Sequence, residues 1–216
     1  MTARDIEIPP LGLAGTLSVP RDACGLVVFV HGSGSSRFSP RNTHVAKALN
    51  ARGIATLLFD LLTPAEEADR ANVFDIPLLA GRLLDVIQWL STEPSTKALP
   101  LGLFGASTGA AAALVAAAEQ PDQIRAIVSR GGRPDLAGLA LNRVRSPTIL
   151  IVGGADDGVI DLNQAALSRL PAPKALEIVP RATHLFPEPG ALEAVIELAA
   201  AWFERYFRMR DDQRAR

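Results

Sequence analysis

The stretch Leu99-Pro-Leu-Gly-Leu-Phe-Gly-Ala-Ser-Thr-Gly109 decides how the rest of the chain is interpreted. It begins with an apolar run, 99–104, that is typical of a buried strand, and it leads into an alanine-rich run, 108–119, that is typical of a helix. Between them, Gly105-x-Ser107-x-Gly109 supplies glycines where a strand and a helix must approach closely. The pattern predicts a sharp turn that raises the Ser107 hydroxyl above a sheet, beside the amide groups of a helix N-terminus.

Predicted strands and helices alternate on both sides of this turn, with no internal repeat and no linker. Two short strands around Ile6 and Leu13 precede strands at 26–30, 54–59, 124–129, 148–152 and 176–179, and helices are predicted at 43–51, 76–90, 108–119 and 190–207. This alternation predicts an α/β fold with a mainly parallel, twisted sheet of seven or eight strands and helices on both faces. We expect one domain over residues 1–216, with ligands bound beyond the carboxyl ends of the strands.

The composition excludes several classes of protein. The 216 residues include 22 Lys and Arg against 23 Asp and Glu, so the chain lacks the excess positive charge of a nucleic-acid binder. The single cysteine, Cys24, excludes a disulfide framework, and the three histidines lack metal-ligand spacing, so no metal and no organic cofactor is expected. The N-terminus does not resemble a signal peptide, and Pro100 and several glycines interrupt the uncharged stretch 98–118. We therefore expect a cytoplasmic protein without a membrane span, either a monomer or a homodimer.

Three residues are candidates for nucleophilic catalysis. A serine hydroxyl needs a base of near-neutral pKa, and His184, after the last predicted strand, is the one histidine that follows Ser107. Either Asp156 or Asp157, after the strand 148–152, can orient the imidazole. The chain order serine, aspartate, histidine is that of α/β-hydrolases, and it predicts this fold with a catalytic triad.

Attack by the serine creates an oxyanion, which two backbone N–H groups must stabilise. Thr108, directly after the nucleophile, supplies one of them. The other comes from the loop 31–36, where Ser33 is the first choice and Gly34 the second.

Gly32-Ser33-Gly34 also begins like the dinucleotide-binding fingerprint G-x-G-x-x-G. The last glycine of that fingerprint would be residue 37, which is Arg37, and the next predicted helix starts late, near Thr43. These departures disfavour a Rossmann-type dehydrogenase.

Four segments together resemble the dienelactone hydrolase family of α/β-hydrolases, over about residues 6–207: His31-Gly-Ser-Gly-Ser-Ser-Arg37, Gly105-Ala-Ser-Thr-Gly109, Gly153-Gly-Ala-Asp156 and Ala182-Thr-His184. The likeness is strongest to small bacterial members that occur alone or fused to a phosphoribosyltransferase-like domain. The spacing Gly153-x-x-Asp156-x-x-Val159 in that family implies Asp156 rather than Asp157 as the acid. Dienelactone hydrolases proper have a cysteine in the elbow, so Ser107 implies a serine esterase.

The loops contain hints about the substrate. The 18 residues 130–147 leave room for one helix and no cap domain, so we expect an open site. Four arginines come just after predicted strands, at the edge where the site is expected: Arg37, Arg41, Arg130 and Arg133. Arginine suits bidentate recognition of carboxylate or phosphate, so Arg130 and Arg41 are candidates for binding an anionic substrate. The alternative is that the arginines pair with nearby carboxylates and only brace loops.

The sequence thus predicts a serine hydrolase that cleaves a carboxylic ester of a small acyl substrate through an acyl-enzyme. The same triad would also serve a thioester or a lactone. A fold without activity would instead be a binding module.

Overall fold

The computed structural model describes residues 3–209, which form an eight-stranded sheet of order β1-β2-β4-β3-β5-β6-β7-β8. The strands are β1 (Ala3–Ile8), β2 (Leu13–Ser18), β3 (Leu26–Val30), β4 (Ala55–Phe59), β5 (Leu101–Ala106), β6 (Ile124–Arg130), β7 (Thr148–Gly153) and β8 (Lys174–Val179). The pairs β1–β2 and β2–β4 are antiparallel, and all the others are parallel. The predicted α/β-hydrolase fold, with a mainly parallel sheet of seven or eight strands, is confirmed, and the sheet has eight.

Helices cover both faces of the sheet. They are α1 (Pro40–Ala51), α2 (Pro64–Glu67), α3 (Ile76–Leu90), α4 (Thr108–Glu119), α5 (Val159–Arg169) and α6 (Ala191–Arg208), with 3₁₀ segments at Asn72–Phe74 and Pro134–Arg143. The core on one face is closed by α1 and α6, and the core on the other face by α3, α4 and α5. The central strands β3, β4 and β5 are buried along their whole length, as their unbroken apolar sequences require.

The close approach of β5 and α4 depends on a missing side chain. A Cβ at Gly105 would lie 2.5 Å from the Cα of Ala110 on the helix. Alanines fill most of α4 and are buried on all sides of it, so the helix packs between the sheet and its neighbours. The uncharged stretch 98–118 thus folds largely as β5 and α4, and within residues 3–209 no helix combines the length and hydrophobicity needed to cross a bilayer.

Some predicted boundaries are wrong. Helix α1 begins at Pro40 rather than Thr43, because the Ser39 hydroxyl caps it by accepting a hydrogen bond from the Asn42 amide at 3.4 Å, and proline suits the first helical turn. Strand β5 lies at 101–106 rather than 99–104. No helix is predicted between the strand 54–59 and the helix 76–90, yet this segment contains α2, which a capping box stabilises.

Between β6 and β7 the chain forms only the 3₁₀ segment Pro134–Arg143, which packs against α4 and α5. The expected absence of a cap domain therefore agrees with the architecture of residues 3–209. The carboxyl ends of the parallel strands β3, β4, β5, β6, β7 and β8 meet at one edge of the sheet.

Candidate active site

Ser107 lies in the turn between β5 and α4, with φ 51° and ψ −124°. A positive φ is unfavourable for any residue with a Cβ, so the packing around the turn must hold it there. Ser107 is also the N-cap residue of α4, a position where serine usually accepts a hydrogen bond from the first helical turn. Its side chain makes no such bond. The Ser107 hydroxyl therefore does not cap α4, and it remains available to a ligand at the carboxyl edge of the sheet.

Two glycines allow the loop after β3 to touch this turn. A Cβ at Gly32 would lie 2.8 Å from the Cβ of Ser107. A Cβ at Gly109 would lie 2.1 Å from the carbonyl oxygen of Val30. Real Cβ atoms do not approach other atoms so closely, so only glycine permits the contact between the two loops.

His184 and Asp156 form a hydrogen-bonded pair beyond the ends of β8 and β7. His184 Nδ1 lies 2.8 Å from Asp156 Oδ2. The Asp156 side chain is 12% exposed, whereas Asp157 is exposed and turned to solvent. A carboxylate at Nδ1 keeps the proton on that nitrogen and leaves Nε2 to act as a base. Of the two aspartates that the residues alone left open, Asp156 is the one beside the imidazole.

The loops that carry this pair are joined by backbone hydrogen bonds. The Gly154 amide donates to the Val179 carbonyl at 2.8 Å, and the Ala155 amide donates to the Ala182 carbonyl at 2.9 Å. A Cβ at Gly153 would lie 2.3 Å from the same Ala182 carbonyl oxygen. The loops that carry Asp156 and His184 therefore form one closely packed unit.

The predicted oxyanion donors also lie next to each other. Thr108 is the first residue of α4, and its side-chain Oγ1 accepts a hydrogen bond from the Ser33 amide at 3.0 Å. The Ser33 N–H therefore already has an acceptor, which a substrate oxyanion would have to replace or share. The alternative donor, Gly34, has an amide that forms no hydrogen bond within residues 3–209.

Ser107 and His184 line one cleft of about 570 Å³ at the carboxyl edge of the sheet. The other lining residues come mostly from the loop after β3 and the start of α1: Gly32, Ser33, Gly34, Ser35, Ser36, Phe38, Ser39, Pro40, Arg41, Ala106, Arg130 and Leu185. Of the predicted site residues, Ser107, His184, Ser33, Arg41 and Arg130 thus share one cavity, whereas Asp156 and Thr108 are not among its lining residues. Within the described part of the chain, no group of three or more His, Cys, Asp or Glu is arranged to hold a metal ion.

The four arginines separate into two kinds. Arg37 pairs with Asp60, and Arg133 makes two hydrogen bonds to Asp135 at 2.9 and 2.8 Å. These two brace loops, as the alternative interpretation expected. Arg41 and Arg130 form no ion pair within residues 3–209, and both line the cleft.

Arg130 has an unusual environment for a charged group. It is 5% exposed, its Nη2 donates to Asn42 Oδ1 at 3.2 Å, and its Nε has no hydrogen-bond partner. Burial, with a smaller contribution from the nearby Arg41 charge, lowers the pKa of Arg130 to about 10, so the guanidinium remains charged at neutral pH. A buried charge without a counterion is costly, and an anion in the cleft would offset that cost.

His31 has a structural role that the sequence did not indicate. Its Nδ1 lies 3.0 Å from the Gly32 carbonyl oxygen, and its Nε2 accepts a hydrogen bond from the Leu61 amide at 3.1 Å. These contacts require a neutral ring protonated on Nδ1. Burial lowers the pKa of His31 and outweighs the opposite effects of the Gly32 carbonyl, Asp60 and Glu67. The neutral imidazole thus ties the loop after β3 to the end of β4.

We expect this contact to make the stability of the protein dependent on pH. Because the pKa of His31 is lower in the folded state than its ordinary value of 6.5, the unfolded chain binds more protons between the two values. The free energy of unfolding should therefore fall as the pH drops below about 6.5. His31→Gln should lose about 1–2 kcal/mol at pH 8 and show a weaker decline towards pH 5, as measured by urea denaturation. The exposed His44 provides a control, since His44→Gln should keep the wild-type decline; equal declines in all three proteins would contradict the prediction.

The site also contains residues that sequence reasoning missed. Phe38 and Leu185 line the cleft, and Asn42 accepts the Arg130 hydrogen bond. Each of the three lies directly after a residue that the sequence analysis considered. None of them is a nucleophile, a base or a charged group, so its residue type gave no reason to select it. Only the position of the loops after β3 and β8 could have pointed to them.

The sequence matches the family model described as serine aminopeptidase, S33, over residues 21–132. Among solved structures, the fold is similar to a dienelactone hydrolase from Anabaena variabilis, with a TM-score of 0.92 and 54% sequence identity over 96% of this chain and 98% of that one. It is also similar to Est1E from Butyrivibrio proteoclasticus, with a TM-score of 0.79 over 97% and 100% of the two chains. At 17% identity, the second likeness shows the fold alone.

A curated relative adds a further comparison. A Mycobacterium tuberculosis protein described as a phosphoribosyl transferase is 61% identical over 204 residues. The match covers 93% of this chain and 46% of the relative, so the chain spans about half the length of that protein.

Proposed function

Because the chain belongs to the dienelactone hydrolase family of α/β-hydrolases, we propose that this serine hydrolase cleaves a carboxylic ester of a small anionic substrate through a triad of Ser107, His184 and Asp156. The observation that carries the proposal is the 2.8 Å contact between His184 Nδ1 and Asp156 Oδ2, in a pair whose histidine lines the same cleft as Ser107. A positioned base in the same cleft as a serine whose hydroxyl caps no helix suits nucleophilic catalysis.

In the first half of the reaction, His184 Nε2 takes the Ser107 proton while Ser107 Oγ attacks the ester carbonyl carbon. The tetrahedral intermediate then collapses, its bond to the alkoxide breaks, and His184 gives its proton to the leaving alcohol. In the second half, His184 takes a proton from water, the hydroxide attacks the acyl-enzyme, and Ser107 leaves with the proton. The products are a carboxylic acid and an alcohol, and Asp156 stabilises the imidazolium that forms twice along the way.

The Thr108 and Ser33 amides are the proposed oxyanion donors. The hydrogen bond from the Ser33 amide to Thr108 Oγ1 supports this role, because it holds the loop after β3 against the start of α4. As negative charge develops on the substrate oxygen, that oxygen becomes a stronger acceptor than the neutral hydroxyl, and the Ser33 N–H turns to it. Each such donor is worth about 3–4 kcal/mol in the transition state.

A fluorophosphonate probe tests the proposed chemistry independently of the substrate. Ser107 Oγ would displace fluoride from the phosphorus and retain the phosphonyl group, which intact-mass spectrometry detects as one adduct. The absence of an adduct on folded protein would favour the interpretation of the chain as a binding module.

The anionic part of the substrate is assigned from Arg41 and Arg130. Both line the cleft, neither is neutralised by a carboxylate within residues 3–209, and the Nε atoms of both are buried without a partner. A substrate carboxylate would satisfy these donors and neutralise the buried charge of Arg130. A phosphate would do the same, so the two groups are compared directly in the experiment below.

We expect Arg130→Gln to lower kcat/KM about 10- to 100-fold for esters that carry a carboxylate, and less than about threefold for neutral esters of the same alcohol. The reason is that only the charged substrate loses a charge-assisted hydrogen bond. Ethyl esters with a free carboxylate, with a phosphate or with neither group should be compared for the wild type and the variant.

Arg133→Gln is the matched control, because Arg133 pairs with Asp135 and does not line the cleft. It should affect charged and neutral esters alike. Arg41→Gln serves as a second test if Arg130→Gln does not fold, since Arg41 is only partly buried. Equal losses on charged and neutral esters in both cleft variants would show that the arginines do not bind the substrate.

A further inference from the structure

The cleft that contains Ser107 carries two positive charges that no carboxylate neutralises. Arg41 and Arg130 both line it, and no Asp or Glu is among the lining residues in the described part of the chain. Asp156, which is close by in the site, is hydrogen-bonded to His184 instead. The two arginine charges are close enough to interact, since Arg41 contributes to lowering the pKa of Arg130. A ligand that neutralises both would therefore carry two negative charges rather than one.

Two serine hydroxyls add uncharged donors to the same cleft. Ser36 and Ser39 line it, and the Oγ atom of each accepts a hydrogen bond from a backbone amide. The Phe38 amide donates to Ser36 at 3.2 Å, and the Asn42 amide donates to Ser39 at 3.4 Å. Each hydroxyl therefore keeps its own hydrogen to donate, and within residues 3–209 that hydrogen has no acceptor. A ligand with several acceptor oxygens would use these donors.

Helix α1 also begins at this cleft, since Ser39, Pro40 and Arg41 line it. The N-terminus of a helix of this length carries partial positive charge and free amide groups. Pro40 has no N–H and the Asn42 amide is used by Ser39, so the Arg41 amide is the donor of this turn that has no partner among residues 3–209. The Arg130 guanidinium is an independent sign of an anion, because it is 5% exposed and its Nε has no partner.

From these observations we propose that the anion bound in the cleft is a phosphate monoester, held by Arg41, Arg130 and the hydroxyls of Ser36 and Ser39. This inference rests on the proposed function, and it narrows the substrate to an acyl ester whose acid or alcohol part carries a phosphate. A phosphate has a charge of about −1.5 to −2 at neutral pH and three acceptor oxygens, so it matches two cations and two hydroxyls better than a carboxylate does. Ser107 attacks the ester carbonyl carbon, so the phosphate is bound but not transferred, and it leaves intact on one of the two products.

Two pairs of esters, each matched in length, test the proposal. The esters 2-acetoxyethyl phosphate and 4-acetoxybutanoate carry the anion in the alcohol, whereas ethyl phosphoglycolate and monoethyl succinate carry it in the acid. Each kcat/KM is divided by the rate constant for alkaline hydrolysis of the same ester, so that intrinsic reactivity cancels. In at least one pair we expect kcat/KM to be about tenfold higher for the phosphate ester than for the carboxylate ester, mainly through KM.

Variants of the cleft should reduce this preference for phosphate. Ser36→Ala removes one donor and should lower kcat/KM about three- to tenfold for the preferred phosphate ester, and less for its carboxylate partner. Arg41→Gln removes one of the two charges and should act in the same direction with a larger effect. Arg133→Gln is the matched control, since Arg133 pairs with Asp135 and does not line the cleft, and it should leave the preference unchanged.

Binding of inorganic phosphate gives a readout that needs no hydrolysis. By isothermal titration calorimetry at constant ionic strength, the wild type should bind phosphate at least about tenfold more tightly than acetate, and Arg41→Gln should lose most of that difference. If the carboxylate esters react as well as the phosphate esters, or acetate binds as tightly as phosphate, the inference is wrong and the proposed ester hydrolysis stands. If no ester is hydrolysed, the proposed hydrolysis is overturned, whereas tight binding of phosphate would still support the phosphate site and weak binding would overturn it.

Discussion

Replacing Ser107 by alanine should lower kcat for ester hydrolysis about 10⁵- to 10⁶-fold and remove the fluorophosphonate adduct entirely. The loss is this large because the nucleophile and its base act as a unit. Without the Ser107 hydroxyl, no oxyanion forms by attack of Ser107, so the oxyanion donors have no such intermediate to stabilise. The fold should be unaffected. The Ser107 side chain makes no capping bond to α4, and alanine meets the same backbone strain at φ 51° as serine does. Thermal unfolding, intact-mass spectrometry and hydrolysis assays on one preparation measure all three expectations.

A serine outside the cleft provides the control for this experiment. Ser168 is exposed on α5, and its hydroxyl donates to the Ala165 carbonyl within the same helix. Ser168→Ala should keep both the activity and the adduct. An adduct that persists on Ser107→Ala and disappears on another variant would move the nucleophile elsewhere in the chain.

Asp156→Asn should reduce kcat about 10⁴-fold while the affinity for substrate changes little. The amide can still lie beside His184 Nδ1, but it favours the tautomer in which Nε2 carries the proton and cannot accept one from Ser107. It also fails to stabilise the imidazolium. Steady-state kinetics should place nearly the whole loss in kcat rather than in KM.

The neighbouring aspartate makes the test specific. Asp157→Asn removes the same charge one residue away, on an exposed side chain, and should change kcat less than about threefold. Similar losses in the two variants would mean that the local negative charge matters rather than the hydrogen bond to His184. The assignment of the acid would then fail.

Local sequence signals were enough to predict most of the fold. Apolar runs predict the buried strands, and glycines at fixed spacing predict the turn at Ser107. Each of these signals spans no more than about ten residues. The start of α1 was placed three residues late because the helix propensity of its first turn is low, whereas the cap at Ser39 and the proline at Pro40 determine where it begins.

Pairing between distant residues could not be predicted in the same way. Arg37 and Arg130 look alike in the sequence, yet one meets Asp60 and the other meets no carboxylate within residues 3–209. That difference depends on how the loops after β3, β4 and β6 lie in space. The catalytic role of Ser107, the oxyanion role of Ser33 and the anion-binding role of Arg41 stay predictions until the variants are measured.

The backbone hydrogen bonds between the loops that carry Asp156 and His184 have a consequence for how the protein loses its activity on heating. Since the Gly154 and Ala155 amides tie the loop after β7 to the loop after β8, Asp156 and His184 are displaced together when this part of the molecule opens. β8 is an edge strand that pairs with β7, and much of its surface is exposed. Ser107, in contrast, is anchored between the buried strand β5 and the buried helix α4. We expect sub-global opening at this edge to separate the intact His184–Asp156 pair from Ser107 at a lower free-energy cost than global unfolding. Heat inactivation should then begin at β8, while the part of the site that carries Ser107 remains native.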